Sequence, residues 1–227
     1  MNWKTQGINR KHKRKRVYYM KDNADEEKEL EEIFPIKIPL FNNSFNSKKG
    51  TIENNKIYFN DDITSESIDE LSSNLRSVEQ KLLNIENKYS LESKIPIYLY
   101  LKTNGGDVHA ALSAVDCISS IKSPVYTIVN GYVASAGTLL SLSGDKRFIQ
   151  PNAYMLFHQI SSGCWGKMAE IDDEYTNLKK LSKHLVDFYV DKTKLKRTQL
   201  NSLLKSDISW NAKECIKKGF ADFLYLN

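Results

Sequence analysis

The sequence predicts an α/β protein with a mainly parallel sheet wrapped by helices. Three observations carry that expectation. Short apolar, β-rich runs alternate with amphipathic stretches from about residue 56 onward, which is how parallel sheets are written in a chain. Two of the strand-to-helix junctions, Thr103 to Asp107 and the segment around Ser135, are abrupt and rich in small residues. Finally, 227 residues at 41% hydrophobic and 27% charged can bury one large core and stay soluble.

The first 34 residues are written differently. Arg10 to Arg16 is a basic block and Asp25 to Glu32 a mostly acidic one, and the basic block supplies much of the net charge of +5. Such blocks repel themselves and stay solvated. Residues 1–34 are therefore expected to be a disordered charged extension, and 35–227 the folded domain. A localisation signal or a nucleic-acid contact is the other reading of the basic block; nucleic acid is not an expected partner.

Pro35 to Phe41 is apolar but broken by prolines, which suits an edge or docking segment. Asn42 to Asn55 reads as a polar loop and Lys56 to Asn60 as a strand. From about Ser65, Ile68, Leu71, Leu75, Val78, Leu82 and Ile85 alternate spacings of three and four, which is one helical stripe. Asp62, Thr64 and Ser65 are its possible N-caps. Pro96 to Leu101 is a strand, Val108 to Ile118 a helix ended by Pro124, and Val125 to Val129 another strand. A helix is expected over 135–143, with strands at 147–149 and 154–157. Ile171, Tyr175, Leu178, Leu185 and Phe188 mark a long helix over 168–191, and 211–218 a short one ended by Gly219.

No apolar run approaches the ~20 residues that span a bilayer, so no membrane partner is expected. Nor does an apolar stretch of signal-peptide type follow the basic N-terminal block. Cys117, Cys164 and Cys215 are odd in number and lack metal-ligand spacing. Reduced, buried thiols and a cytoplasmic location are expected, and no metal or organic cofactor.

The two junctions are where α/β sheets usually place their sites. Gly105 and Gly106 let the backbone take positive φ and let a ligand come close, and amides of such a turn can hold an oxyanion. Alone, a glycine pair reads more simply as an ordinary turn. Ser135 lies in Gly131-Tyr-Val-Ala-Ser-Ala-Gly-Thr-Leu-Leu140, with almost no bulk around it. That pattern means either tight helix packing or an oxygen that a substrate must reach. A nucleophilic serine needs a base, and of four histidines only His158 ends an apolar strand. Gly106, Ser135 and His158 thus fall at strand ends in sequence order. Spacing alone selects no carboxylate to orient the histidine.

From about Tyr98 to the C-terminus these segments resemble the proteolytic subunit of the Clp protease, the ClpP family. The residues that carry the resemblance are Thr103-Asn-Gly-Gly-Asp107, Val133-Ala-Ser-Ala-Gly137, Gly144-Asp-Lys-Arg-Phe148, Pro151-Asn-Ala-Tyr-Met-Leu-Phe-His-Gln-Ile160, Ser162-Gly-Cys-Trp-Gly166 and Asp207-Ile-Ser-Trp-Asn-Ala-Lys-Glu-Cys-Ile-Lys-Lys-Gly-Phe-Ala-Asp222. Each motif is weak, but the ordered, ungapped set is specific. It implies a ClpP/crotonase-like fold with a strand-helix handle. It also implies a serine endopeptidase acting on unfolded polypeptides, with Ser135 as nucleophile, His158 as base, Asp207 orienting it, and the amides of Gly106 and Ala136 as oxyanion hole. Substrate would pair as an extended strand along 161–167, at Gly163 and Trp165.

The resemblance further implies a homo-oligomeric ring, heptameric and in one or two layers, and an AAA+ unfoldase partner through which alone ATP would act. Tyr98 and Tyr100 match tyrosines of the family's unfoldase dock. Ser206 stands where the family often has a ring-linking arginine, so rings are expected to be firmer than ring pairs. Two other functions are alternatives: a crotonase-type acyl-CoA hydratase or isomerase, and a non-catalytic ClpP-like ring subunit. The presence of Ser135, His158 and Asp207 together argues against both.

Overall fold

The computed structural model of the protein describes residues 50–226. The charged extension, the boundary at residue 35 and the proline-bracketed segment 35–41 lie outside the described residues.

The centre is one sheet. Strands β1 (Gly50–Glu53), β2 (Lys56–Phe59), β3 (Ile97–Thr103), β4 (Val125–Ala134), β5 (Lys146–Ile149) and β8 (Phe223–Leu224) lie side by side in the order β1-β2-β3-β4-β5-β8. From β2 to β8 every neighbour is parallel, and β1 is antiparallel to β2. Strand β1 corrects the loop expected over 42–55. Asn54, at φ 56, makes the two-residue turn of a hairpin there, a backbone conformation that asparagine tolerates better than most residues.

Strand β4 decides where the site lies. It runs five residues past the expected end at Val129. Residues 126–129 pair with β5, and residues 132–134 pair with β6 (Tyr154–Phe157). The sheet forks between these stretches, at Gly131, whose φ of 85 is glycine's own territory. Strand β6 in turn pairs antiparallel with β7 (Ile208–Asn211). The end of β4 is thereby set beside the end of β6.

Among the described residues six helices accompany the sheet: α1 (Ser65–Tyr89), α2 (Val108–Ser120), α3 (Gly137–Leu142), α4 (Met168–Lys192), α5 (Arg197–Leu203) and α6 (Ala212–Lys218). Of the three proposed caps of α1, Thr64 is used. Its Oγ1 accepts from Ser67 N–H while Ser67 Oγ accepts from Thr64 N–H, a reciprocal box. The expected stripe of α1 is buried from Ile68 to Leu82. Helix α6 ends at Gly219, φ 82, as its sequence implies. Arg147 grips the Asp222 carboxylate through Nε and a terminal nitrogen, Arg147 N–H donates to the same carboxylate and Asp222 N–H donates to Arg147 O, which fastens β8 to β5.

Two differences bear on function. Helix α4 forms as expected, but among its residues only Val186 and Tyr189 are buried, while Ile171 and Tyr175 stand exposed. The strand half of the handle is not formed: residues 158–167 hold no regular structure. An extended segment needs a partner for its amides and carbonyls, and no strand is paired with it. The buried-thiol expectation holds for Cys117 and Cys215 and fails for Cys164, which is exposed in that segment.

Candidate active site

Ser135 sits between the last residue of β4 and the start of α3, at φ 53. A non-glycine residue in the left-handed region is strained, and strain of this kind is held only where the surroundings fix it. They do so here. Ser135 N–H donates to Leu156 O of β6 at 3.0 Å, and Ser135 O accepts from Thr138 N–H at 3.0 Å and from Thr138 Oγ1 at 2.7 Å. The small residues follow from this geometry. A Cβ on Gly105 would lie 2.7 Å from Ser135 Cβ, and one on Gly137 would lie 2.4 Å from Thr103 Cγ2. The tight turn and the accessible oxygen are therefore compatible: the backbone is crowded, yet Ser135 itself is half-buried and lines a pocket.

The glycine turn packs against the Ser135 turn, with Gly105 next to Ser135 and Ala136, but neither glycine lines the pocket. Ile63 N–H donates to Gly105 O and Asp107 N–H donates to Ile63 O, both at 2.8 Å. Gly106, at φ 145, lies between them, and a Cβ there would be 2.2 Å from Ile63 O. Asp107 caps α2 by accepting from Ala110 N–H at 2.7 Å. Neither Gly106 N–H nor Ala136 N–H donates a hydrogen bond among the described residues. Both remain available to a ligand.

His158 follows β6 and lines the same pocket of about 310 Å³ as Ser135 and Ala136. Its Nδ1 lies 2.7 Å from Gln159 O. A carbonyl can only accept, so Nδ1 carries the proton of the neutral ring and Nε2 keeps the lone pair that a base needs. The register Phe157↔Ile208 between β6 and β7, continued by one residue, sets Asp207 across from His158. Asp207 is exposed, and no hydrogen bond or ion pair joins it to the imidazole. The structure thus brings Ser135, Ala136 and His158 to one pocket, with Asp207 beside it but unbonded. Gly163 and Trp165 lie in the irregular segment, away from that pocket, with Trp165 fully exposed.

The sequence assigns no other lining residue of the pocket to the site. Leu139, Leu185, Val186 and Leu204 give it apolar walls, and Ser182, Asn201 and Lys205 a polar end. Tyr189 also lines it, and its hydroxyl lies 2.6 Å from Thr138 Oγ1. Burial pushes the Tyr189 phenol up to about 12, against a smaller downward pull from Thr138. The usable signal was a shifted helical stripe, at residues 178, 182, 185, 186 and 189. Tyr98 and Tyr100, matched to the family's dock, are buried in an aromatic cluster with Tyr58, Tyr126 and Tyr225. The described residues contain no group of His, Cys, Asp or Glu arranged to hold a metal ion, and no helix among them is long and apolar enough to cross a membrane.

The family model for Clp protease matches residues 45–226. The chain belongs to the Clp protease family. Among its relatives is an ATP-dependent Clp protease proteolytic subunit of Streptococcus mutans, 38% identical over 135 residues, which is 58% of this chain and 69% of that one. The proteolytic subunit 2 of Treponema denticola is 36% identical over 132 residues, 57% of this chain and 66% of that one. A solved ClpP1 mutant from Listeria monocytogenes superposes with a TM-score of 0.66 at 23% identity, covering 77% of this chain and 92% of the other. That likeness speaks for the fold alone, and the fold is the expected ClpP/crotonase-like one. The relatives named here are proteolytic subunits.

Proposed function

We propose that this chain, a serine protease by family, cleaves polypeptides with Ser135 as nucleophile and His158 as general base. The observation that carries this reading is the strained Ser135 turn sharing one pocket with a histidine whose Nε2 lone pair is free. Ser135 Oγ attacks the scissile carbonyl carbon while His158 Nε2 takes its proton. The oxyanion forms against the N–H groups of Gly106 and Ala136. His158 then protonates the leaving amine, and water repeats the sequence on the acyl-enzyme. Asp207 enters by replacing Gln159 O as the acceptor of the Nδ1 proton, which steadies the imidazolium. Loss of one oxyanion donor of this kind typically costs about 3–4 kcal/mol of transition-state stabilisation.

Substrate, on this reading, is an unfolded chain lying extended along residues 161–167. Its backbone would supply the pairing that this segment lacks, near Gly163 and Trp165. The active form is a homo-oligomeric ring, most simply heptameric and able to stack in pairs, fed by an AAA+ unfoldase in the cytoplasm. Exposed Trp165, Met168, Ile171 and Tyr175 support association through the handle.

The test is direct. A serine-directed fluorophosphonate should label the purified chain, and Ser135→Ala should remove both the label and hydrolysis of a short fluorogenic peptide. The expected loss is several orders of magnitude. Unchanged turnover in that variant would refute the assignment.

A further inference from the structure

We infer that Tyr189 is a positioning residue for the oxyanion side of this site, acting through Thr138. The inference rests on the reading of Ser135 and the Ala136 amide given above.

Thr138 Oγ1 donates its single proton to Ser135 O at 2.7 Å. The 2.6 Å contact between Thr138 Oγ1 and Tyr189 OH must then be donated by the tyrosine. Thr138 is fully buried and Tyr189 nearly so, so the contact between their hydroxyls is an interior one. The phenol, pushed up to about 12 by burial, keeps its proton throughout the neutral range. The result is a directed chain, Tyr189 O–H to Thr138 Oγ1, then Thr138 O–H to Ser135 O. Its end matters because Ser135 C=O and Ala136 N–H belong to one peptide plane. In a trans peptide the two point in opposite directions. Fixing the carbonyl therefore fixes the direction of the N–H, and polarising the carbonyl makes that N–H a better donor.

A threonine bonding to the carbonyl three residues earlier is common by itself. What is particular here is that a second element, α4, reaches in to hold that hydroxyl. The Ser135 turn and α4 are joined at the peptide on which the oxyanion would rest.

The experiment compares Tyr189→Phe, Thr138→Val, Thr138→Ser and the Tyr189→Phe/Thr138→Val pair, each in the full chain. The assay is hydrolysis of a fluorogenic peptide, with melting and sedimentation as controls. A hydrogen bond of ordinary net strength corresponds to a rate factor of roughly 2 to 12. Tyr189→Phe should lower kcat about threefold and Thr138→Val about tenfold, with KM nearly unchanged. Thr138→Ser keeps the hydroxyl and should restore most of the rate. In the Thr138→Val background, Tyr189→Phe should have no further effect on kcat, because the tyrosine acts only through the threonine.

Full kcat in Tyr189→Phe, or equal and additive losses in the two single variants, would overturn the inference. If Tyr189→Phe fails to fold, the Thr138→Val and Thr138→Ser pair decides: equal rates in those two refute it. Failure of the serine reading looks different, because the unsubstituted chain then takes no fluorophosphonate label.

Discussion

The two halves of α4 are similarly supplied with apolar residues and meet different surroundings. In the C-terminal half, Val186 and Tyr189 are buried, and Tyr189 touches Phe220 and bonds Thr138 beneath the Ser135 turn. In the N-terminal half, Met168, Ile171 and Tyr175 are 72%, 37% and 60% exposed, just after a fully exposed Trp165. The chain's own packing thus fixes the Ser135 turn and leaves the N-terminal half of α4 exposed. His158 stands at the seam, with ordered β6 before it and ten irregular residues from 158 to 167 that include it. The difference teaches that one half of the site is built by this chain alone, and the other half is open to influence from outside it.

The largest expected effect breaks the comparison at that seam. Asp207 is adjacent to His158 by register but unbonded, while Gln159 O holds Nδ1. If Asp207 orients the imidazole during turnover, Asp207→Asn should lower kcat by a factor of up to about 10⁴ and leave the Ser135 turn intact. Steady-state kinetics on the variant measure this. A loss of less than about tenfold would mean that the carbonyl of Gln159 suffices and that Asp207 has no part in the triad.

A smaller effect probes the ordered half. Burial raises the phenols of Tyr58, Tyr98, Tyr100 and Tyr189, with Tyr189 pushed up to about 12 from the ordinary 10. In the unfolded chain these groups lose their protons near pH 10, while the folded chain retains them. Above pH 10 the unfolded state binds fewer protons, so stability falls as pH rises. The contribution of Tyr189 is fully present below pH 10 and is lost between about pH 10 and 12, and those of the more strongly shifted Tyr98 and Tyr100 are lost at higher pH still. For Tyr189 the rise from 10 to about 12 is worth roughly 3 kcal/mol. Urea unfolding followed across that window should show the midpoint falling, with tyrosinate absorbance appearing together with unfolding. Tyrosinate absorbance that reaches the full count of tyrosines while the protein is still folded would contradict the burial of these rings.

Much of this architecture was legible in the sequence, and the omissions have physical causes. The stripe of α1 announces itself because one face of a long helix rests on the sheet. Ser135 and His158 could be placed because each ends a β-rich run, and strand ends on β4 and β6 are neighbours. Strand β7 and its pairing with β6 were not legible, because Ile208 and Ser209 are exposed and give no alternating pattern. Without that pairing nothing local points to Asp207, which came only from the family resemblance. Tyr189 escaped because the more obvious stripe of α4 runs through Ile171 and Tyr175, which this chain does not bury. A helix that serves two surfaces carries two overlapping stripes, and periodicity reports their sum.

The smallest expected effect separates those two stripes. Replacing Ile171 and Tyr175 with serine removes apolar surface that this chain leaves in solvent. Surface changes of this kind usually alter stability by less than about 0.5 kcal/mol. For a domain of this size that is a melting shift of about 2 °C or less, measured at a concentration where the unsubstituted chain is also dissociated. If the exposed stripe is where copies meet, the same double variant should sediment near the 26.1 kDa chain mass under conditions where the unsubstituted chain forms a larger species. Loss of assembly without loss of stability would assign the N-terminal half of α4 to a partner copy. A large drop in melting temperature at equal dissociation would instead show that these residues pack within their own chain, and the contrast between the two halves would disappear.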